Sequence, residues 1–254
     1  MWNYGIIKPM FQSKYKLCEL FGIPVYVDLS FAILLFLFAT SEGSFSFGIA
    51  SALVLAISVV LHELGHALTA GAFGFRTRDI TLSLLGGCAS LIALPRKAWQ
   101  ELLTALAGPL VSFALAGLVL LLDVFEVRVE NNWLRSVLSY AFWMNMMLGI
   151  FNLMPGFPLD GGRIFRSVMR AFVTRAKATF IAMWVGRGVA ILLGLRGLHS
   201  LFTGGSWGFI SILIAWMIWR EGWSEYQQAL AEERFDRWTQ DDFNARVSPP
   251  PYDR

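Results

Sequence analysis

A chain of 254 residues that is 56% hydrophobic and only 15% charged, with a mean hydropathy of +0.56, reads as a membrane protein rather than a soluble one with a large core. The net charge of +3 is too small for a polyanionic partner, and the basic residues lie between apolar runs, so no nucleic acid is expected and the cations report orientation instead. Cys18 and Cys88 stand far apart without metal-binding spacing, which excludes a disulfide framework and a thiolate zinc site.

The apolar runs predict an α-helical polytopic membrane protein of about six transmembrane helices, at roughly 25–40, 47–72, 99–122, 136–153, 178–198 and 207–223. Residues 1–24 then form a cytoplasmic N-terminal segment, 25–223 the membrane-embedded domain, and 224–254 a cytoplasmic polar tail with a Pro-rich, disordered end. Lys and Arg set the orientation. With the N-terminus in the cytoplasm, that side receives Lys8, Lys14 and Lys16, then Arg76, Arg78, Arg96 and Lys97, then Arg163, Arg166, Arg170, Arg175 and Lys177. The opposite side receives chiefly Glu42, Asp123, Glu126, Arg128, Glu130, Arg135 and Arg196, so both termini are expected on the cytoplasmic face of the inner membrane. Asp28, at the entrance of the first span, and Arg187, inside the fifth, have no assigned role.

The second span carries Leu61-His62-Glu63-Leu64-Gly65-His66 at the end of a run, Phe47 to Leu61, without a charge. On a helix His62 and His66 lie roughly 40° apart around the axis, so both can reach one metal ion while Glu63 projects from the neighbouring flank. Ionisable groups deep in a bilayer are costly and mark function. A catalytic zinc takes three protein ligands and keeps a position for water, whose proton a nearby carboxylate can accept. One Zn²⁺ with two neutral imidazoles, Glu63 and one further carboxylate sums to zero charge, which a site of low dielectric tolerates best. A further acid is therefore required.

Between the second and third spans, the alternating and β-branched residues on either side of Gly86-Gly87 predict a short membrane-associated β-hairpin with a Gly-Gly turn. Such a strand edge near a metal could pair with an extended peptide, making Gly86 and Gly87 candidate substrate contacts; a plain interfacial connection accounts for the residues equally well. In the third span Ala107-Gly108-Pro109 permits close helix approach and a local bend, for which packing alone is sufficient.

The fourth span contains Asn145, a candidate substrate contact, and Asn152, which could donate to a scissile carbonyl or a developing oxyanion. Interhelical hydrogen bonding is the plain alternative for Asn152. The chain continues Asn152-Leu153-Met154-Pro155-Gly156-Phe157-Pro158-Leu159-Asp160-Gly161-Gly162-Arg163, where two prolines and three glycines break any continuous helix. Broken backbone at membrane depth is tolerated where protein or a wet cavity covers it. Asp160 is thus the candidate third metal ligand, with a helix-capping Asp as the bland reading.

His62-Glu63-Leu64-Gly65-His66 followed by the segment from Asn152 to Gly162 resembles the site-2 protease family of intramembrane zinc metalloproteases, over roughly residues 20–220. The resemblance implies one zinc ion per chain held by His62, His66 and Asp160, with Glu63 as catalytic base. It also implies that Asn152 polarises the scissile carbonyl and that the strand around Gly86-Gly87 holds the substrate extended. The implied activity is endopeptidase cleavage in or near a transmembrane helix of a membrane protein substrate, in regulated intramembrane proteolysis. Many relatives carry PDZ or CBS modules, for which these 254 residues leave no room, so nucleotide sensing through CBS modules is not expected. Two other readings stay open: a non-enzymatic membrane protein that binds or transports metal, although no second His-rich segment is present, and a zinc protease of the prenyl-protein type, which needs a Glu on a downstream helix as third ligand.

Overall fold

The computed structural model describes residues 14–41, 44–83, 86–91, 97–125, 130–205 and 208–247, and it divides into two compact units, Met1–Asn152 and Leu153–Arg254. The Pro-rich end of the chain lies outside the described residues.

The first unit begins with two strands where the sequence predicts a cytoplasmic segment and the start of a span. Strand β1 (Lys14–Leu20) pairs antiparallel with β2 (Ile23–Asp28). Their connection, Phe21-Gly22, has φ of 51° and 78°, the two left-handed residues that make a type I′ turn and match the twist of the strands. Ile23, Val25 and Val27 explain the strand: β-branched side chains suit a pleated surface, and alternate positions bury Ile23 and Val25. Helix α1 therefore starts only at Leu29 and ends at Ser41, 13 residues, or about 20 Å against the roughly 30 Å of a hydrocarbon core. Asp28, buried, ends β2 and caps α1, its Oδ1 accepting from Ser30 N at 2.7 Å.

Helix α2 (Phe45–Ala72) carries the chain back to β3 (Thr77–Ser83), which runs parallel to β2 with Val25 opposite Ile80. A parallel pair needs a long crossover, and α1 with α2 provides it. Strand β4 (Gly86–Leu91) pairs antiparallel with β3, giving a sheet in the order β1-β2-β3-β4. The turn expected at Gly86-Gly87 is displaced. Both glycines are strand residues, opposite Ser83 and Leu82 respectively, because pairing with β3 fixes the register. One face of the sheet and the adjoining helices enclose a core of Val25, Phe31, Leu55, Val59, Ile80 and Leu82. Each such Leu or Ile is worth about 2–5 kcal/mol relative to Ala.

Helices α3 (Ala98–Val124) and α4 (Asn132–Asn152) complete this unit. Small residues set the helix crossings, as at Gly149, where a Cβ would press on the Phe113 ring.

The second unit consists of α5 (Asp160–Met169), α6 (Arg175–Phe202) and α7 (Gly208–Val247). Thr174 caps α6. Helix α7 is continuous through the 223/224 boundary read from hydropathy, and its polar part is held by charge: Glu225 pairs with Arg166 at 2.7 Å, Glu232 with Arg175 at 2.8 Å, and Glu233 accepts from Ala176 N at 2.7 Å. Among the described residues three helices are long and apolar enough to cross a membrane, Phe45–Ala72, Ala98–Leu122 and Arg175–Phe202, against the six spans predicted.

Candidate metal centre

In the first unit His62 and Glu63 are buried on α2, with His66 one turn further along. Both imidazoles point their Nε2 atoms at one spot, 3.2 Å apart. The far side of each ring is tied to α3: His62 Nδ1 lies 2.9 Å from Ser112 Oγ, and His66 Nδ1 lies 2.7 Å from the Thr104 carbonyl oxygen. A carbonyl only accepts, so His66 Nδ1 carries the hydrogen and its Nε2 offers a lone pair. A histidine that ligates a metal is held in this way, its other nitrogen donating to a fixed acceptor.

These residues fit a metal ion by two observations. Two imidazole nitrogens at about 2.05 Å from a tetrahedral zinc stand about 3.3 Å apart, and the observed 3.2 Å matches. The second is Gly108 of α3, where a Cβ would run into His66 Nε2 and Cε1 and come within 2.7 Å of His62 Nε2. The glycine leaves the space that the two donors face. Ala107-Gly108-Pro109, which the sequence explains by packing alone, is therefore the wall of this space, and Ser112, one turn on, orients a ring. Neither Ser112 nor the Thr104 carbonyl is marked by any local motif.

Glu63 faces the sheet. A Cβ on Gly87 would overlap the Glu63 side chain, so only a glycine lets β4 pass against that carboxyl. Gly86 stands next to it, paired with Ser83. Strand β4 is an edge of the four-stranded order, and an edge strand presents unpaired backbone groups. Asn145 is buried, and its Nδ2 donates to Ser58 Oγ and to the Ala141 carbonyl, both at 2.9 Å. It ties α4 to α2, and its Oδ1 is buried without a hydrogen-bond partner. Asn152, the last residue of α4, donates from Nδ2 to the Leu148 carbonyl one turn back at 2.9 Å.

In the second unit Asp160 is the first residue of α5 and is buried. The cap position belongs to Leu159, so the bland reading of Asp160 as N-cap does not hold. The glycines after it explain the fold. A Cβ on Gly161 would strike the carbonyls of Leu153 and Met154, and one on Gly162 would lie 2.8 Å from Phe157 N. The Pro-Gly segment thus folds back on the first turn of α5, with Leu159 N donating to the Gly156 carbonyl at 2.9 Å.

Residues 50–130 and 123–195 match the family model described as Peptidase family M50, more than half of the chain. The chain belongs to this peptidase family. It is 35% identical to a putative zinc metalloprotease of Synechocystis sp. over 255 residues, covering 93% of this chain and 66% of that one. It is 36% identical to a zinc metalloprotease of Methanocaldococcus jannaschii over 190 residues, covering 73% and 54% respectively. The chain thus spans between about half and two thirds of the length of these curated relatives. Among solved structures, the site-2 protease from Methanocaldococcus jannaschii superposes with a TM-score of 0.62 at 30% identity, over 84% of this chain and 95% of that one. The family matches begin in α2 and end in α6, so they take in the His pair, Gly108, Asn152 and Asp160.

Proposed function

We propose that this chain is an intramembrane zinc endopeptidase that cuts a transmembrane protein substrate within or beside its membrane helix, in regulated intramembrane proteolysis. His62, His66 and Asp160 are the ligands of one zinc ion, and Glu63 is the catalytic base. The observation that carries this reading is the pair of Nε2 atoms 3.2 Å apart beside Gly108, each ring anchored from behind. Kinship with proteins named zinc metalloproteases supports it.

When bound, zinc supplies a Lewis acid that makes water acidic near neutral pH and polarises a carbonyl. Glu63 takes the proton of the attacking water and returns it to the leaving amine. Ser112 and the Thr104 carbonyl keep the two imidazoles turned for metal binding. Asp160 brings the charge of the loaded site to zero together with Glu63. A substrate helix hides its carbonyls in i, i+4 bonds and must unwind; the exposed segment pairs along β4, where Gly86 and Gly87 leave room beside Glu63. Asn152 turns its carboxamide toward the scissile carbonyl, and Asn145 braces the helix that carries it. The chain crosses the inner membrane six times with both termini cytoplasmic, the short α1, α4 and residues 208–223 of α7 joining the three long apolar helices.

Glu63→Gln tests the reading. The purified variant keeps about one zinc per chain and loses cleavage of a reconstituted transmembrane substrate by at least 10²-fold, the size of a general-base contribution. Cleavage at the wild-type rate overturns the assignment of Glu63, and absence of metal from wild-type protein after zinc reconstitution overturns the site.

A further inference from the structure

Arg187 lies within the apolar stretch of α6 and faces α7. Its Cζ stands 4.9 Å from the ring centroid of Trp184, 4.6 Å from Trp219 and 5.7 Å from Trp223. Three indoles thus surround one guanidinium. Ring faces stabilise the charge, but they offer no lone pair in the direction of its five in-plane N–H donors. Those donors are unmatched: Nε is buried with no hydrogen-bond partner, and no carboxylate pairs with Arg187 among the described residues. The residue is only half-buried, so the two terminal nitrogens form the open edge of the fork.

The surroundings set the depth of this site. A Cβ on Gly222 of α7 would lie 3.2 Å from Met183 Cγ of α6, so the turn holding Arg187 lies beside residues 219–223. There the charges of α7 begin, with Arg220 paired to Glu221 at 2.7 Å. Along this stretch, about two helical turns deep, Trp184, Trp216, Trp219 and Trp223 are 54%, 56%, 44% and 48% exposed. Tryptophans cluster where hydrocarbon meets the headgroups, and a band of four with the first charged residues marks that boundary. An unpaired cation at this depth needs an anion with two oxygens in one plane, which a phosphate provides and a water does so only weakly.

We propose that Arg187, framed by Trp184, Trp219 and Trp223, is a binding site for the phosphate of an anionic phospholipid headgroup. The indoles hold the guanidinium edge-on to the lipid and pack along its glycerol and upper acyl region, and the terminal nitrogens of Arg187 donate in parallel to two phosphate oxygens. Free phosphate shares the anion chemistry but not the contacts with the indole band.

Native mass spectrometry of the full chain, with phosphatidylglycerol and phosphatidylcholine in competition, tests this. Wild-type protein retains phosphatidylglycerol over phosphatidylcholine by clearly more than about fivefold, the effect that a lone cation near a charged headgroup gives without a planar fork. Arg187→Gln brings the ratio close to one, while Arg196→Gln, an exposed arginine on the same helix, leaves it unchanged. Arg187→Lys keeps the charge without the planar fork and retains less than half of the preference, which covers the case in which the Gln variant folds poorly. An equal ratio in wild type overturns the proposal. So do a lysine variant as selective as wild type, which reduces the effect to surface charge, and displacement of the lipid by equimolar inorganic phosphate, which makes the site one for the free anion.

Discussion

The two units accommodate polar groups in an apolar chain by different means. In the first, the ionisable groups stand where glycines open space: Gly108 before the two imidazoles and Gly87 before Glu63. Their supports are neutral, a serine hydroxyl and a backbone carbonyl. In the second, charge meets charge. Arg166, buried against the Phe157 ring at 4.9 Å, pairs with Glu225, and Arg175 with Glu232. The contrast follows from the task of each region. Neutral supports leave histidine lone pairs and a carboxylate available for a cation, whereas ion pairs neutralise their members' charges and join one helix to another.

The largest break in this contrast is expected at Gly108. Gly108→Val puts side-chain atoms where both Nε2 atoms point, so bound zinc and cleavage are both lost, as read by metal analysis beside the folded fraction. Next comes the charged joint. Arg166→Ala leaves Glu225 without its partner and destabilises the second unit by about 3–5 kcal/mol, measured by thermal unfolding in detergent. The same joint has a pH signature. Burial pushes the Glu225 carboxyl up, but Arg166, Arg163 and Arg175 together outweigh it and hold the carboxyl below its ordinary value of 4.5. Its folded value is depressed, so its contribution is complete above that ordinary value and is lost as pH falls through the lower folded one. In Glu225→Gln that acid-side loss disappears.

Smaller effects sharpen the comparison from the side of the neutral supports. Ser112→Ala removes the group behind His62 and weakens zinc about 10–100-fold, the usual reach of a residue that orients a ligand; competition with a chelator reads the change, and stability stays near wild type. Asn145→Ala removes the bond to Ser58 and costs only about 0.6 kcal/mol, because a membrane helix finds other partners when unfolded. An effect on cleavage far beyond that stability loss would mean that Asn145 meets the substrate directly.

The chain's local signals carried a good part of this. The spacing of His62 and His66 is a property of one helix, so it is readable wherever a helix is readable. The break from Pro155 to Gly162 is equally local, since proline lacks the donor and glycine the side chain that a helix needs. Ion pairing of the tail with Arg166 and Arg175 was not legible: the stripe of Trp223, Tyr226, Leu230 and Phe235 suits a packing face, but it carries no record of which arginines the carboxylates beside it meet. Nor was the start of the first span: Ile23, Val25 and Val27 are as apolar as a helix and reveal a strand only by whom they pair with.

What the sequence alone determined is the membrane character, the His-Glu-x-x-His stretch and the placement of Asp160 after a broken helix, all consequences of composition or of spacing within a few residues. Tertiary structure decided the rest. Parallel pairing of Val25 with Ile80 spans a crossover of two helices, and the register of that sheet turns the expected Gly-Gly turn into a strand that passes Glu63. Ser112 reaches His62 from 50 residues away. Contacts of that separation depend on which helices pack and at what register, and a short motif carries no record of either.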